Sequence, residues 1–193
     1  MRLGVFGGSF DPPHVGHLIV ADDAAAALGL DRVCFIPAGT HPLKRARVEA
    51  PGELRLRMIE AATAGRELFE IDDREIRRPG PSYSAQTLAE LQAENPGAEL
   101  FILVGADILG ELHRWHRVTE LAERGRITVM SRADAPAVEA DVAVDLLRID
   151  VTHVAISSSE VRERIKSGRP YRYLVPEPVY RIIEQHSLYR SQA

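Results

Sequence analysis

Apolar residues along this chain fall into short, nearly unbroken runs, separated by longer stretches in which they recur every three or four positions. The runs are Leu3, Val5 and Phe6; Val33 to Ile36; Leu68 to Ile71; Leu100 to Val104; Ile127 to Met130; and Leu146 to Ile149. Such short apolar successions predict strands buried on both faces, as in a parallel sheet. Between them, Leu18, Ala21, Ala25 and Leu28 share one helical face, Asp22 and Asp23 do not, and Gly29 marks the stop. Glu53 to Ala64 repeats the spacing through Leu54, Met58 and Ala61 or Ala62; Ser82 to Leu91 does so with Leu88 and Leu91; Leu109 to Glu123 does so in parts. Val161 with Ile165, and then Val179, Ile182 and Ile183 within Pro178 to Gln185, predict two closing helices. Strand and helix alternate. The expectation is an α/β fold, a doubly wound Rossmann-like parallel sheet in a single domain, with a C-terminal helical part from about residue 157.

The breaks are also informative. Pro37 and Gly39 open a basic loop running to about Pro51 and including His41 and Lys44. It is either a phosphate-covering segment or an ordinary solvated connection, and residue types do not separate the two. Residues 133 to 145 are alanine-rich and acidic, a variable connection rather than a linker between domains.

Composition narrows the class. With 193 residues, 45% hydrophobic and 27% charged, the chain suffices for one domain with a sizeable core. The net charge of −4 argues against nucleic acid as a partner, although Lys44, Arg45 and Arg47 remain local anion contacts. Cys34, the lone cysteine, sits in an apolar run, so a buried thiol and a cytoplasmic setting are expected. No leader pattern precedes Arg2 and no apolar run approaches a membrane span, so no membrane association is expected; oligomeric state is left open.

Chemistry concentrates in Gly7 to His17, GGSFDPPHVGH, between the first strand and the first helix. Gly7 and Gly8 let the backbone approach a ligand, and the amides opening the next helix favour an anion in the same place. His14 and His17 can then donate to phosphate oxygens. Taken alone, the two histidines could equally cap a helix or bind a metal. Elsewhere, Asp107 follows Gly105 at the end of the fourth strand, where a sugar hydroxyl could be held, and Arg132 closes the fifth strand, as a phosphate contact or a surface arginine. Trp115 lies among His113, Arg114, His116 and Arg117; composition favours packing, with stacking on an aromatic ligand as the alternative. Ser157 and Glu160 form a capping-box pattern, a second helix start able to receive phosphate.

Gly7 to His17 resembles the GxFDPxHxGH signature of the nucleotidyltransferase superfamily containing the small adenylyltransferases. It matches neither GxGxxG nor GxxxxGK[ST], since no lysine follows the glycines. Ile156 to Arg162, ISSSEVR, is similar to that superfamily's C-terminal ISS[ST]xxR element. Glu75 to Leu88 resembles the ELxRxxPSYTxxTL pattern of bacterial nicotinate-mononucleotide adenylyltransferases, with Ser84 in place of the usual threonine. Val175 to Val179 resembles a further PEPVxxYI segment, so the likeness spans nearly the whole chain. One departure stands in the basic loop: where the family often has PPHK, this chain has His41, Pro42, Leu43 and Lys44.

The resemblance implies transfer of AMP from ATP to nicotinate mononucleotide, with magnesium neutralising the phosphates. It implies catalytic roles for His14, His17, Lys44 and Arg132. For ATP it implies Gly7, Gly8, Ser9, Phe10, His14, His17, Gly105, Asp107, Arg132, Ile156, Ser157, Ser158 and Arg162. For the mononucleotide it implies Ser9, Lys44, Ser84 and Trp115. No resident metal-ligand set is expected. Two other readings remain: a phosphopantetheine adenylyltransferase, against which His14 and the Ser82 to Leu88 segment count, and a nucleotide-binding module without turnover, against which His14, His17 and Arg162 count.

Overall fold

Six strands, Arg2–Gly8 (β1), Arg32–Pro37 (β2), Phe69–Ile71 (β3), Glu99–Gly105 (β4), Arg126–Ser131 (β5) and Leu146–Asp150 (β6), form one parallel sheet in the order β3-β2-β1-β4-β5-β6. The computed structural model describes residues 1–39, 48–115, 117–131 and 142–190. The chain winds outward from β1 to β3, then returns past β1 to build the other half from β4. The reversal lies between β1 and β4, which pair with Val5 opposite Ile102. In such sheets ligands bind beyond the carboxyl ends at that reversal.

Period-two alternation assigns the two faces. Leu3, Val5, Cys34, Ile36 and Ile102 point to one side, under Leu88 and Leu91 of Ser84–Glu94 (α4) and Leu121 of Val118–Arg124 (α5). Phe6, Val33, Phe35, Phe101 and Leu103 point to the other, under Ala21, Ala24, Ala25 and Leu28 of Val15–Leu28 (α1) and Ile59 of Gly52–Thr63 (α2). Small alanines let α1 lie close to the aromatic residues of β1 and β2. Cys34 is buried and unpaired, and burial first, then nearby carboxylates, pushes its thiol up to about 12.

A third cluster seats the C-terminal helices on α2: Met58 packs with Val161 and Ile165 of Ser158–Lys166 (α6), Val179 and Ile183 of Glu177–Gln185 (α7), and Tyr189. Each fully buried aliphatic side chain here contributes about 1.5–3 kcal/mol. Among the described residues no helix is long and apolar enough to cross a membrane.

Several boundaries differ from the sequence expectation. Helix α1 begins at Val15 rather than Leu18, because a histidine rather than the usual hydroxyl or carboxylate residue caps it. A short helix, Arg74–Arg77 (α3), precedes α4, which starts at Ser84 and not Ser82. Leu109 to Glu123 divides into a 3-10 segment, Ala106–Arg114, and α5.

Candidate active site at the sheet reversal

From Gly8 the chain turns through Ser9 to His14 before entering α1. Phe10 adopts φ 46°, rare for a bulky residue, and only 1% of it is exposed. Its ring packs edge-on against Phe6 (5.6 Å between centroids) and His17 (5.1 Å). The Phe10 side chain is therefore core, a support under His17, and its expected contact with ATP falls to its backbone.

His14 caps α1, and its backbone N–H donates to His17 Nδ1 at 3.1 Å. The rings stack 3.7 Å apart with 25° between planes. With Nδ1 used as acceptor, the proton of neutral His17 stands on Nε2. Burial lowers the His14 pKa to about 4; burial, and secondarily repulsion from His14, holds His17 well below its ordinary 6.5. Both are neutral at pH 7. The buried Nδ1 of His14 has no protein partner. Gly16 completes the spacing, since a Cβ there would stand 3.0 Å from that nitrogen.

Side chains from distant segments hold the outer side of this turn. The Ser9 carbonyl accepts from Arg55 Nη1 (2.7 Å), that of Asp11 from Arg162 Nη1 (2.8 Å), and that of Pro12 from Ser158 Oγ (2.9 Å). The two motifs at opposite ends of the sequence thus meet. Ser157 caps α6 by accepting from the Glu160 N–H at 3.1 Å. The expected capping box is only half made, because the Glu160 carboxylate accepts from Arg164 instead, at 2.8 and 3.0 Å. Arg162 is spent on protein acceptors: besides Asp11 it donates from Nε to Glu49 Oε1 at 3.0 Å. Ile156 packs against the C-terminal cluster.

A cavity of about 400 Å³ opens beyond the carboxyl ends of β1, β2 and β4. Gly7, Gly8, Ser9 and Gly105 line its sheet side, and Tyr83, Ser84, Arg114 and Trp115 line it from α4 and the 3-10 segment. A Cβ on Gly7 would meet nothing within 4 Å, so its hydrogen leaves room that a ligand can use. Trp115 packs on the core cluster, the reading composition favours, and it also lines the cavity. Asp107 is exposed beside Gly105 and is not among the cavity walls. Lys44, His41 and Arg132 lie outside the described residues.

The polar wall is a relay that spacing did not reveal. Thr87 Oγ1 donates to Glu75 Oε1 at 2.7 Å and accepts from Arg78 Nη1 at 3.2 Å, while Ser82 Oγ donates to the Glu75 carbonyl at 3.3 Å. Burial raises the Glu75 pKa, partly offset by the Thr87 bond and Arg78. At the start of the helix that carries Thr87, the amides of Ser84 and Ala85 precede the first intrahelical acceptor and suit an anion. Glu75, Tyr83 and Thr87 stand within the recognised 75–88 pattern, which was their signal; Arg55 carried none, because its role comes from long-range placement. Among the described residues no three His, Cys, Asp or Glu side chains converge as a metal cage. A divalent cation carried in by phosphate oxygens and water would need few protein ligands.

A family model described as cytidylyltransferase-like matches residues 5–164. A protein of Roseiflexus sp. named "Probable nicotinate-nucleotide adenylyltransferase" is 43% identical over 97% of this chain and 98% of its own length. One of the same name from Geobacillus thermodenitrificans is 40% identical over 99% of this chain and 87% of its own. Among solved structures, the nicotinic acid mononucleotide adenylyltransferase of Plasmodium falciparum complexed with NaAD superposes with a TM-score of 0.78, at 16% identity and 97% coverage of each chain. At that identity the likeness speaks for the fold alone.

Proposed function

The chain belongs to the nicotinate-nucleotide adenylyltransferases of the cytidylyltransferase-like family, and from that premise we propose how its site transfers AMP from ATP to nicotinate mononucleotide. The products are nicotinate adenine dinucleotide and pyrophosphate. An oxygen of the mononucleotide phosphate attacks the α-phosphorus of ATP, the new P–O bond forms, and the bond to the β-phosphate bridging oxygen breaks, carrying its electron pair to pyrophosphate. The attacking oxygen is already anionic, so no side-chain nucleophile is needed. The work left to the protein is positioning and charge stabilisation.

The observation that carries this reading is the stacked His14–His17 pair at the start of α1, on the turn whose Gly8 and Ser9 line the cavity at the β1–β4 reversal. His17 Nε2–H and the α1 amides are donors for phosphate oxygens and strengthen as charge develops. Gly7, Gly8 and Ser9 give the polyphosphate a close backbone approach. Gly105 and Asp107 are assigned to the adenosine side, and Ile156, Ser157, Ser158 and Arg162 to the triphosphate end. Lys44 and Arg132 join the polyphosphate contacts on the strength of the sequence pattern. Magnesium, when bound with ATP, supplies charge neutralisation on the triphosphate.

The nicotinate ring is assigned to the cavity between Trp115 and α4, its carboxylate on the amides of Ser84 and Ala85. We place the reaction in the cytoplasm, where a buried unpaired thiol such as Cys34 is the ordinary state of cysteine, and assign it to the whole chain as one nucleotidyltransferase unit.

Pyrophosphate release is the test, measured with ATP plus nicotinate mononucleotide, nicotinamide mononucleotide or phosphopantetheine. Release with the first is expected. Release with phosphopantetheine alone, or with none, refutes the proposal.

A further inference from the structure

Asp11 is fully buried, three residues ahead of His14. Its Oδ1 accepts from Tyr189 Oη at 2.7 Å and from the Ala50 N–H at 3.1 Å, and its Oδ2 accepts from the Glu49 N–H at 2.7 Å. Arg162 Nη1 lies 3.9 Å from Oδ2 while donating to the Asp11 carbonyl. The carboxylate thus joins the histidine-bearing turn, the chain just ahead of α2, and the C-terminus. Tyr189, 7% exposed, is carried there by the cluster of α2, α6 and α7 and not by any local turn. Packing alone would be served by phenylalanine; the hydroxyl is spent on a buried anion. Burial and that anion push the phenol pKa well above its ordinary value, so Tyr189 remains a donor throughout any assay range.

We propose that Tyr189 is a positioning residue for adenylyl transfer, holding through Asp11 the turn that sets the His14–His17 pair against the phosphates. The inference rests on the function proposed above. The turn is tied on its outer side through the carbonyls of Ser9, Asp11 and Pro12 and through the Asp11 carboxylate, on which Tyr189 is the only side-chain hydroxyl among the described residues. Small displacements of groups that stabilise a transition state lower turnover more than ground-state binding.

The test is Tyr189→Phe in the full chain, read by steady-state kinetics with ATP and nicotinate mononucleotide and by imidazole nitrogen NMR of His14 and His17. The expected result is a roughly tenfold fall in kcat, both KM values within about twofold, and displaced imidazole signals. Asp11→Asn, which also sets an amide N–H₂ against the backbone N–H of Glu49 or Ala50, should fall at least as far, and adding Tyr189→Phe to it should lower kcat no further, because the Tyr189 hydroxyl acts only through Asp11. Wild-type kcat with unmoved histidine signals in folded Tyr189→Phe protein overturns the proposal, even if the melting temperature drops. If Tyr189→Phe does not fold, 3-fluorotyrosine at 189 keeps the ring and hydroxyl but changes its acidity; unmoved histidine signals then overturn the proposal and displaced ones support it. A wild-type enzyme inactive with these substrates refutes the function instead, and the histidine signals still decide the connection.

Discussion

The backbone N–H of His14 donates to Nδ1 of His17 at 3.1 Å while the two imidazoles stack 3.7 Å apart. One hydrogen bond therefore both starts α1 and selects the tautomer in which His17 offers a proton from Nε2. Burial of both rings, and for His17 secondarily repulsion from His14, is why neither carries charge at neutral pH.

Stability should fall on acidification through this pair. Burial holds His14 at about 4 in the folded state against an ordinary 6.5. Between those values the unfolded chain binds more protons, so unfolding free energy rises with pH from about 4 to 6.5 and is level above. His14 alone should remove about 3 kcal/mol between pH 7 and pH 4, with His17 acting in the same direction. Urea melts across this range should show the slope, and His14→Gln should flatten it. An equally steep profile in that variant would place the effect elsewhere.

Replacing His17 separates its two duties. His17→Ala loses the acceptor for His14 N–H, at about 1 kcal/mol of stability, and loses the Nε2 donor, at no less than about a hundredfold in kcat. His17→Asn presents an oxygen near the Nδ1 position and should restore the melting temperature without restoring turnover. Melting curves and kcat on the two variants check this, and recovered turnover in His17→Asn would remove the Nε2 proton from the chemistry.

Gly39 is the least replaceable position at the end of β2. A Cβ there would overlap the Glu75 carbonyl oxygen, whose helix forms the polar cavity wall. Gly39→Ala should cost roughly 3 kcal/mol and raise KM for the mononucleotide, because α3 must retreat and take Glu75 and Ser82 with it. An unchanged melting temperature and KM would show that α3 is free to move.

Trp115→Ala should raise KM for nicotinate mononucleotide more than for ATP, since the indole faces the cavity next to Ser84. The same amide donors that suit a carboxylate leave a carboxamide N–H₂ without an acceptor. A mismatched buried polar group costs about 1–3 kcal/mol, so preference for the nicotinate over the nicotinamide mononucleotide should be roughly tenfold or more. Equal kcat/KM for both would refute the acid-selective pocket while leaving adenylyl transfer intact.

The sheet, the glycine turn and the helix starts at His14 and Ser157 were legible in the sequence because each depends on residues a few positions apart. Apolar runs such as Val33 to Ile36 are strands whatever they pair with, and His14, Gly16 and His17 meet through one turn of helix. Local pattern also marked Ser157 as a cap, although Glu160 found a stronger partner in Arg164 than in the backbone behind it. What the tertiary structure alone decided is which remote groups share a boundary. The strand order brings Gly7 and Gly105 to one cavity with Ser84 and Trp115. Packing of α6 and α7 on α2 commits Arg162 to the Asp11 carbonyl and delivers Tyr189 to the Asp11 carboxylate. Phe10, motif residue and core residue at once, shows the reason: one side chain can serve either side of a turn, and only the assembled hydrophobic layer beneath it makes the choice.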